Sequence, residues 1–329
     1  MQKLFKIGDL YYALFWLVRK TFYSVIPIQI LFLSWNVRGF VLSLVSKERF
    51  IVKRNLASLM GHTKSEKEIR LTARRYFKYL SAHEPIRIVP KLRGFSGCDL
   101  LQVEGLHNLV DALSRGKGVI LISAHFGHIS LLRYILETKG YTVRRLRARN
   151  SKRMKLVTQK RKQRRKFSRF QSLIYDRLCI EPAAFEEDDL IAALNVRPTV
   201  KALTKNEIIL ILGDALHASN FVNLTILGQT YPFPTGFMNM ALSTGSSVLP
   251  TFAVDHDNGL GVKIVIHQPL ALRMNGKSRQ QLIETNLEQY VRIFDSYVRQ
   301  YPHLMKIWTK ENWFQKRLAR SQRELAKRY

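Results

Sequence analysis

The sequence is poor in acidic residues. Only 24 Asp and Glu stand against 54 Lys and Arg among 329 residues, which gives a formal net charge of +30. So large a positive charge calls for a polyanionic environment, and nucleic acid, an anionic membrane face or an acidic partner protein would each supply one. Hydrophobic residues still make up 46% of the chain, so extensive disorder is excluded. The charge alone does not decide among the three partners.

Cysteine is also scarce, and common cofactor motifs are missing. Cys98 and Cys179 form no C-x-x-C pair, which excludes a disulfide scaffold and a cysteine metal cluster and fits a reducing compartment. There is no P-loop, no G-x-G-x-x-G and no G-x-S-x-G, so nucleotide binding and α/β-hydrolase chemistry have no support. The acidic run 186–189 predicts the start of a helix, with metal binding as the weaker alternative. We expect neither a metal nor a cofactor.

Charge is nearly absent from the N-terminal region. Residues 4–46 are strongly apolar, and residues 22–37 carry no charged side chain. Extension to Val45 reaches the length of a membrane-spanning helix, although Pro27 predicts a kink. A cleaved signal peptide fits poorly, because no small-residue cleavage site follows. We assign residues 1–46 as a membrane-associated helical segment, for which a single span, interfacial helices and a buried helical hairpin are the alternatives.

The rest of the chain changes its pattern near residue 95. Residues 47–95 form a helical linker portion, in which Ser65-x-x-Glu68 predicts a capping box. Beyond it, short aliphatic runs such as GVILIS (118–123) alternate with helical patterns. Buried strands that alternate with helices predict an α/β domain over residues 96–329.

A histidine follows the first fully apolar strand. His125 lies in the turn between that strand and the next helix. A histidine at the carboxyl end of a central strand is well placed to act as a general base. A histidine in such a turn can equally serve the turn itself, so the position alone does not decide its role.

Several segments, taken in their order and spacing, carry a family resemblance. They are the apolar N-terminus, VKRNLASLMG…EIRLTARRYFKYLSAHE, VILISAHFGHISLL, GDALHASNFVNLTILGQTYPFPTGFMNMALSTGSSVLPTF and YPHLMKIW…NWF. The chain resembles the lipid A late acyltransferases, the lauroyl/myristoyl family within the glycerolipid-type acyltransferases that carry an H-x4-D/E motif. The resemblance covers nearly the whole chain. It implies an α/β sandwich of the glycerolipid acyltransferase type with a helical, membrane-associated N-terminal portion.

The resemblance also implies a reaction and a location. Members of the family move a fatty acyl chain from an acyl carrier protein or coenzyme A thioester to a hydroxyl of a lipid A precursor or related glycolipid. The implied location is the cytoplasmic face of a bacterial inner membrane. The implied partners are the acyl donor, a membrane lipid or glycolipid acceptor, and the anionic membrane surface.

The motif residues only partly fit the family pattern. His125 takes the place of the histidine that deprotonates the acceptor hydroxyl, but Ser130 stands where the motif's acid belongs. A serine hydroxyl cannot neutralise an imidazolium. Asp214 ends the apolar run EIILILGD, where the family carries an aspartate-containing loop, and it is the candidate substitute if the two strands are neighbours. A turn or cap role for Asp214 is the alternative.

Substrate contacts are expected around the motif. In the family, basic residues after the motif contact phosphate groups, which makes Arg147 and Arg149 the candidates for anion binding. Backbone N–H groups near Gly127 or Gly236 are the candidates for stabilising an oxyanion. The segment TYPFPTG (230–236) is predicted to be a loop.

Positive charge is densest in residues 144–169, which hold fourteen Lys or Arg and no acidic residue. Such a run predicts a docking surface for an acyl carrier protein or for anionic headgroups. A nucleic-acid-binding protein is a less favoured alternative, because no nucleic-acid motif and no regular aromatic interleaving accompany the charge, and we expect no nucleic acid partner. A catalytically degenerate member that binds lipid or a partner is the other alternative, because Ser130 replaces the motif acid.

Overall fold

The computed structural model describes most of the chain. The described residues are 14, 17–18, 21–83, 86, 89, 101–148, 190–192, 196–214, 220–256, 261–275, 278–310 and 312–326. The two cysteines, Arg149, the acidic run 186–189 and the basic tract beyond residue 148 lie outside the described residues.

Helices account for much of the described chain. They are α1 (Ile28–Val45), α2 (Glu48–Met60), α3 (Glu66–Ala82), α4 (Leu106–Ser114), α5 (Ser130–Thr138), α6 (Arg197–Thr204), α7 (Gly236–Thr244), α8 (Arg279–Gln300) and α9 (Trp313–Ala326), with a short 3-10 helix at Pro302–Leu304. The predicted capping box is confirmed at the start of α3. The Ser65 hydroxyl accepts from the backbone N–H of Glu68, whose carboxylate accepts from the backbone N–H of Ser65. This exchange satisfies two of the backbone donors at the helix start.

One mostly parallel sheet forms the centre of the fold. The strands are β1 (Leu101–Glu104), β2 (Val119–Ser123), β3 (Val143–Ala148), β4 (Leu190–Ala192), β5 (Ile208–Leu212), β6 (Phe221–Ile226), β7 (Gln229–Pro234), β8 (Ser247–Asp255) and β9 (Val262–Ile266). Seven of them form a sheet in the order β1-β9-β8-β2-β5-β3-β4. Strands β8, β2, β5, β3 and β4 run parallel, whereas β9 is antiparallel to β8 and parallel to β1.

Strand β2 is covered on both faces. Ile120 and Ile122 pack into a hydrophobic cluster that draws on α2, α3, α6, α7 and α8. Val119 and Leu121, which point the other way, pack into a second cluster with α1, α4 and α5. Parallel strands need apolar cover on both faces, which explains why their sequences are continuously aliphatic. The α/β prediction is thus confirmed as a mixed fold with a parallel-rich sheet.

Helix α1 is apolar on two opposite sides. The side against α3 is buried and comprises Leu31, Phe32, Trp35, Gly39 and Ser43. The opposite side is exposed and comprises Ile30, Leu33, Val37, Val41 and Leu44. A Cβ on Gly39 would lie 2.5 Å from the Cα of Lys78, so the close approach of α1 to α3 requires glycine there.

Two further observations bear on the predicted N-terminal segment. Pro27 separates α1 from the helical residues 21–25, in agreement with the predicted kink. Among the described residues, α1 is the helix that is long and apolar enough to cross a membrane by length and composition. Because one whole side of α1 is exposed, α1 is not enclosed on every side by the fold.

A β-hairpin lies apart from the main sheet and corrects the predicted loop 230–236. Strands β6 and β7 pair antiparallel, with a turn at Leu227 and Gly228, where φ is 52° and 71°. Pro232 and Pro234 both lie on β7. Proline lacks a backbone N–H donor, which argues against its presence in a central strand. Among the described strands, β7 pairs only with β6, so it is an edge strand, and an edge strand tolerates missing donors.

Candidate active site

The register of two neighbouring strands brings His125 and Asp214 together. Strands β2 and β5 pair in parallel, with Ser123 opposite Leu212. His125 and Asp214 each lie two positions beyond these residues. They therefore meet at the carboxyl edge of the sheet, which is where α/β folds place their sites.

Both carboxylate oxygens of Asp214 hold His125. Oδ1 lies 2.9 Å from the ring atom Nδ1, and Oδ2 accepts a hydrogen bond of 3.0 Å from the backbone N–H of His125. The Asp214 side chain is 8% exposed, whereas the His125 side chain is 53% exposed. Because an ionised carboxylate only accepts hydrogen bonds, Nδ1 carries the ring proton and Nε2 keeps its lone pair. A half-exposed Nε2 lone pair is able to accept a proton from a hydroxyl.

Two distant parts of the chain hold the loop that carries His125, residues 124–129, which we call the His125 loop. One part is residues 301–310, which follow α8 and which we call the C-terminal segment. Its Leu304 carbonyl accepts a hydrogen bond from the N–H of Gly127 at 2.8 Å. The N–H of Lys306 donates to the carbonyl of His125 at 3.4 Å. From α3, the Tyr79 hydroxyl donates to the carbonyl of Gly127 at 2.9 Å. The loop is therefore fixed between α3 and the C-terminal segment.

Position 127 requires glycine for two reasons, its backbone angle φ and the lack of space for a side chain. Its φ is 55°, in the left-handed region, and a Cβ there would lie 1.8 Å from the carbonyl oxygen of Ala253. Its N–H already donates to Leu304. This amide therefore has a structural partner and is not free to bind an oxyanion.

Helix α8 fixes the end of β2 through Tyr290. Its hydroxyl donates to the carbonyl of Ser123 at 2.8 Å. Burial above all, followed by the charge of Asp214, holds the pKa of Tyr290 well above its ordinary value, so this hydroxyl remains a donor. The Phe237 ring packs edge-on against the Tyr290 ring, with centroids 5.8 Å apart. Gly236, which precedes Phe237, therefore begins α7 close to the end of β2.

Ser130, at the position of the motif acid, makes no hydrogen bond to His125. It begins α5, and its Oγ is buried without a hydrogen-bond partner in the described part of the chain. The His125 Nδ1 that such a partner would bind is already paired with Asp214. The carboxylate thus reaches His125 from β5 and not from the helix that follows β2.

Arg147 approaches the same edge of the sheet from the other side of β5. Strand β3 pairs with β5 so that Arg145 faces Leu210, which brings the backbone of Arg147 level with Leu212. The backbone of Arg147 also pairs with that of Ile191 in β4. The Arg147 side chain and the whole of Arg149 lie outside the described residues.

Sequence analysis missed three residues, of which His128 lies within the His125 loop and His83 and Lys306 lie beside it. The Nδ1 atoms of His83 and His128 lie 3.2 Å apart, and their rings stack with centroids 5.2 Å apart. Lys306 places Nζ 2.7 Å from Nε2 of His83. His83 and Lys306 are 223 residues apart in sequence, so no local pattern predicts their contact.

The described residues offer no metal site. Within them, no group of three or more His, Cys, Asp or Glu side chains is arranged to hold a metal ion. The acidic run 186–189, the weaker metal candidate, lies outside the described residues. The facing nitrogens of His83 and His128 have Lys306 beside them, whose positive charge opposes a bound cation.

These features define a class and then a family. The chain is an α/β protein in which a histidine is held by a buried aspartate at the carboxyl edge of a mostly parallel sheet, an arrangement that suits base-assisted group transfer. The family model of the bacterial lipid A biosynthesis acyltransferases matches residues 2–318, and the chain belongs to that family. The resemblance drawn from the sequence is thereby confirmed. A comparison with individual curated proteins gave no match.

Proposed function

We propose that this protein transfers a fatty acyl chain from an acyl carrier protein or coenzyme A thioester to a hydroxyl of a lipid A precursor or related glycolipid. Family membership supplies the class of reaction. The observation that carries the proposal is the half-exposed ring of His125, whose Nδ1 is bound to the buried Asp214 carboxylate. This pair is the base that hydroxyl activation requires.

In the proposed reaction, Nε2 of His125 takes the proton of the acceptor hydroxyl while the hydroxyl oxygen attacks the thioester carbonyl carbon. A C–O bond forms, and the carbonyl oxygen becomes the oxyanion of a tetrahedral intermediate. Collapse breaks the C–S bond, and the imidazolium returns its proton to the thiolate, which leaves as a thiol. Asp214 stabilises the imidazolium between these two proton transfers.

We assign to Asp214 the orienting role that the H-x4-D/E motif would give to position 130. The physical requirement is a carboxylate on Nδ1, and its origin in the chain is immaterial to the imidazole. Asp214 meets the requirement at 2.9 Å. This geometry favours an active enzyme over the catalytically degenerate alternative that Ser130 suggested.

Substrate binding is assigned to groups around the same edge of the sheet. We propose that Arg147, Arg149 and the basic tract that follows contact phosphate groups of the acyl donor or anionic lipid headgroups. Since the N–H of Gly127 is bound to Leu304, the first turn of α7, which begins at Gly236, becomes the candidate for oxyanion stabilisation. Unpaired backbone N–H groups at a helix start favour negative charge.

We further propose that the protein works at the cytoplasmic face of the bacterial inner membrane. The exposed apolar side of α1 would enter the lipid, while its opposite side stays packed against α3. Exposed basic side chains follow α1 in the chain, including Lys47 just before α2 and Lys53 and Arg54 on α2. Apolar surface beside positive charge suits an anionic bilayer, and nucleic acid offers nothing to the apolar side.

The proposal is tested by mass spectrometry of acyl transfer. Membranes that contain the wild type, His125→Ala or the control His107→Ala, an exposed histidine on α4, would receive a pool of acyl thioesters and a lipid extract. We expect a new acylated lipid with the wild type and with His107→Ala, and none with His125→Ala. Absence of product with the wild type, across donors and acceptors, would favour a non-catalytic lipid-binding protein instead.

A further inference from the structure

A pair of histidines lies behind the His125 loop and is not used by the proposed reaction. His83, at the end of α3, stacks on His128 with an angle of 18° between the rings, and their Nδ1 atoms are 3.2 Å apart. His128 is 3% exposed and lies three positions after His125. The pair therefore joins α3 directly to the loop that carries the base.

The nearby Lys306 fixes where the protons of this pair lie. An ammonium group only donates, so Nε2 of His83, which is 2.7 Å from Nζ of Lys306, accepts. The ring proton of His83 is then on Nδ1 and points at Nδ1 of His128, which accepts it. The ring proton of His128 is left on Nε2. One proton is shared between the two facing Nδ1 atoms, and there is no room for a second.

The same two elements that carry His83 and Lys306 also hold the His125 loop through their own hydrogen bonds. Tyr79, one turn before His83 on α3, donates to the carbonyl of Gly127, and its ring contacts the ring of His128 with centroids 4.9 Å apart. The backbone N–H of Lys306 donates to the carbonyl of His125. A separation of His83 from His128 would thus loosen α3 from the loop at the point where His125 is positioned.

We propose that His83 is a positioning residue for the acyl transfer. Its Nδ1–H holds His128, and through it the His125 loop, in the geometry that keeps His125 on Asp214. The inference rests on the proposed function. Addition of a proton to Nδ1 of His128 would place two N–H groups face to face, so the link holds only while a single proton lies between the two Nδ1 atoms.

Other titratable groups around the pair do not replace this link. Burial, followed by the charges of Tyr76 and Asp255, holds the pKa of Tyr79 well above its ordinary value, so Tyr79 remains a neutral donor. Asp255, at the end of β8, is engaged by Nε2 of His303 at 2.6 Å. Lys306 already faces His83. A proton gained at acid pH therefore acts on the facing imidazoles.

Three substitutions at position 83 separate hydrogen bonding from packing. His83→Asn keeps a donor near the position of Nδ1, His83→Gln keeps a polar group near the position of Nε2, and His83→Phe keeps only the stacked ring. We expect kcat to fall about tenfold or more in the Gln and Phe variants, because a displaced loop misplaces the base, with KM changed less than about twofold. The Asn variant should keep most of the wild-type kcat. His107→Gln, at an exposed position on α4, is the control.

The pH profile supplies a readout that a merely structural role would not move. In the wild type, kcat should fall more steeply with falling pH than in His83→Asn, because a second proton between the facing Nδ1 atoms breaks the link in the wild type, whereas an amide at position 83 does not titrate. The quantity compared is the slope of log kcat against pH on the acid side in these two proteins. A wild-type kcat in His83→Phe, or the same slope in wild type and His83→Asn, would overturn the proposal.

A measurement that is independent of turnover keeps this inference separate from the proposed function. Hydrogen exchange of the peptide that covers residues 124–131 reports whether the loop is held. We expect about tenfold faster exchange in His83→Gln and His83→Phe than in wild type and His83→Asn. Equal exchange in all four proteins would refute the positioning role, whether or not any acylated lipid is found.

Discussion

At the scale of single residues, one aspartate determines which nitrogen of His125 is available. Asp214 accepts from both the backbone N–H and the ring Nδ1 of His125, so it fixes the ring's orientation as well as its proton. It is buried while the ring is half exposed. A buried carboxylate stabilises a neighbouring imidazolium strongly, and this would help His125 to hold a proton during the proposed transfer.

Removal of the Asp214 charge should lower kcat far more than removal of the Ser130 hydroxyl. Asp214→Asn keeps the shape but loses the carboxylate, and kcat should fall by about three to four orders of magnitude. Ser130→Ala should stay within about twofold of wild type, because Oγ makes no hydrogen bond among the described residues. Product formation by mass spectrometry measures both. An equal loss of kcat in Asp214→Asn and Ser130→Ala would show that Ser130 also contributes to catalysis.

Gly127 should be far less replaceable than another glycine with the same backbone. In Gly127→Ala the new Cβ meets the Ala253 carbonyl, whereas in Gly116→Ala, with φ of 67°, nothing lies within 4 Å. We expect Gly127→Ala to lower the free energy of unfolding by more than about 3 kcal/mol and Gly116→Ala by about 1 kcal/mol. Denaturant unfolding of both variants measures the difference. Similar midpoints would show that the His125 loop can shift away from β8.

The residues of the site differ in how far sequence could predict them. His125 and Asp214 each follow an aliphatic run directly, so strand ends place them at one edge as soon as the two strands are neighbours. Their pairing therefore follows from local pattern and a single register. His83 and Lys306 have no such signal, because their meeting depends on how α3 and the C-terminal segment pack against the His125 loop.

At the scale of elements, α1 combines a packing face and a free apolar face. Its apolar residues recur on both sides of the helix, interrupted only by a few polar residues such as Gln29, Asn36 and Arg38, so the sequence does not single out one apolar face. Periodicity cannot then tell an exposed side from a protein-facing one. The close contact of Gly39 with α3 makes that distinction in the folded chain.

Charge on the free face of α1 should release the protein from membranes. Val37→Glu with Val41→Glu places two carboxylates on this face, where both valines are about half exposed, at 53% and 47%. Val110→Glu with Val196→Glu is the matched control, since these valines are similarly exposed, at 47% and 49%, on α4 and just before α6. We expect the first pair to move from the membrane pellet to the supernatant and the control to stay, because charged groups oppose insertion. Identical fractionation of the two would locate membrane binding elsewhere.

The β6–β7 hairpin shows that residue preferences alone do not predict every strand of this protein. Prolines and a short Leu-Gly turn favour a loop in the sequence, yet the backbone forms a two-stranded ribbon. Leu227 takes a positive φ that its side chain disfavours. Its N–H donates to Asp295 of α8 at 2.7 Å, and its side chain is buried, so tertiary contacts stabilise the turn.

At the scale of the whole molecule, the net charge of +30 should govern membrane affinity. We expect the protein to float with vesicles of phosphatidylethanolamine and phosphatidylglycerol at low salt, and about 0.5 M NaCl to weaken this binding by screening. Vesicles of phosphatidylcholine alone should bind less and respond less to salt. Displacement from anionic vesicles by an equal concentration of duplex DNA phosphate would instead favour a nucleic acid partner.

The sequence by itself determined most strands of the main sheet, most helices, the capping box, the family and the position of His125 at the end of a strand. All of these follow from patterns within a few residues or from the order of segments along the chain. The tertiary structure decided which carboxylate serves His125, which side of α1 is free, and what holds the His125 loop. These depend on strand neighbours and on contacts between residues up to 223 positions apart. Such contacts arise only when the sheet, α3 and the C-terminal segment pack together, because each is stabilised by burial that no single segment achieves alone.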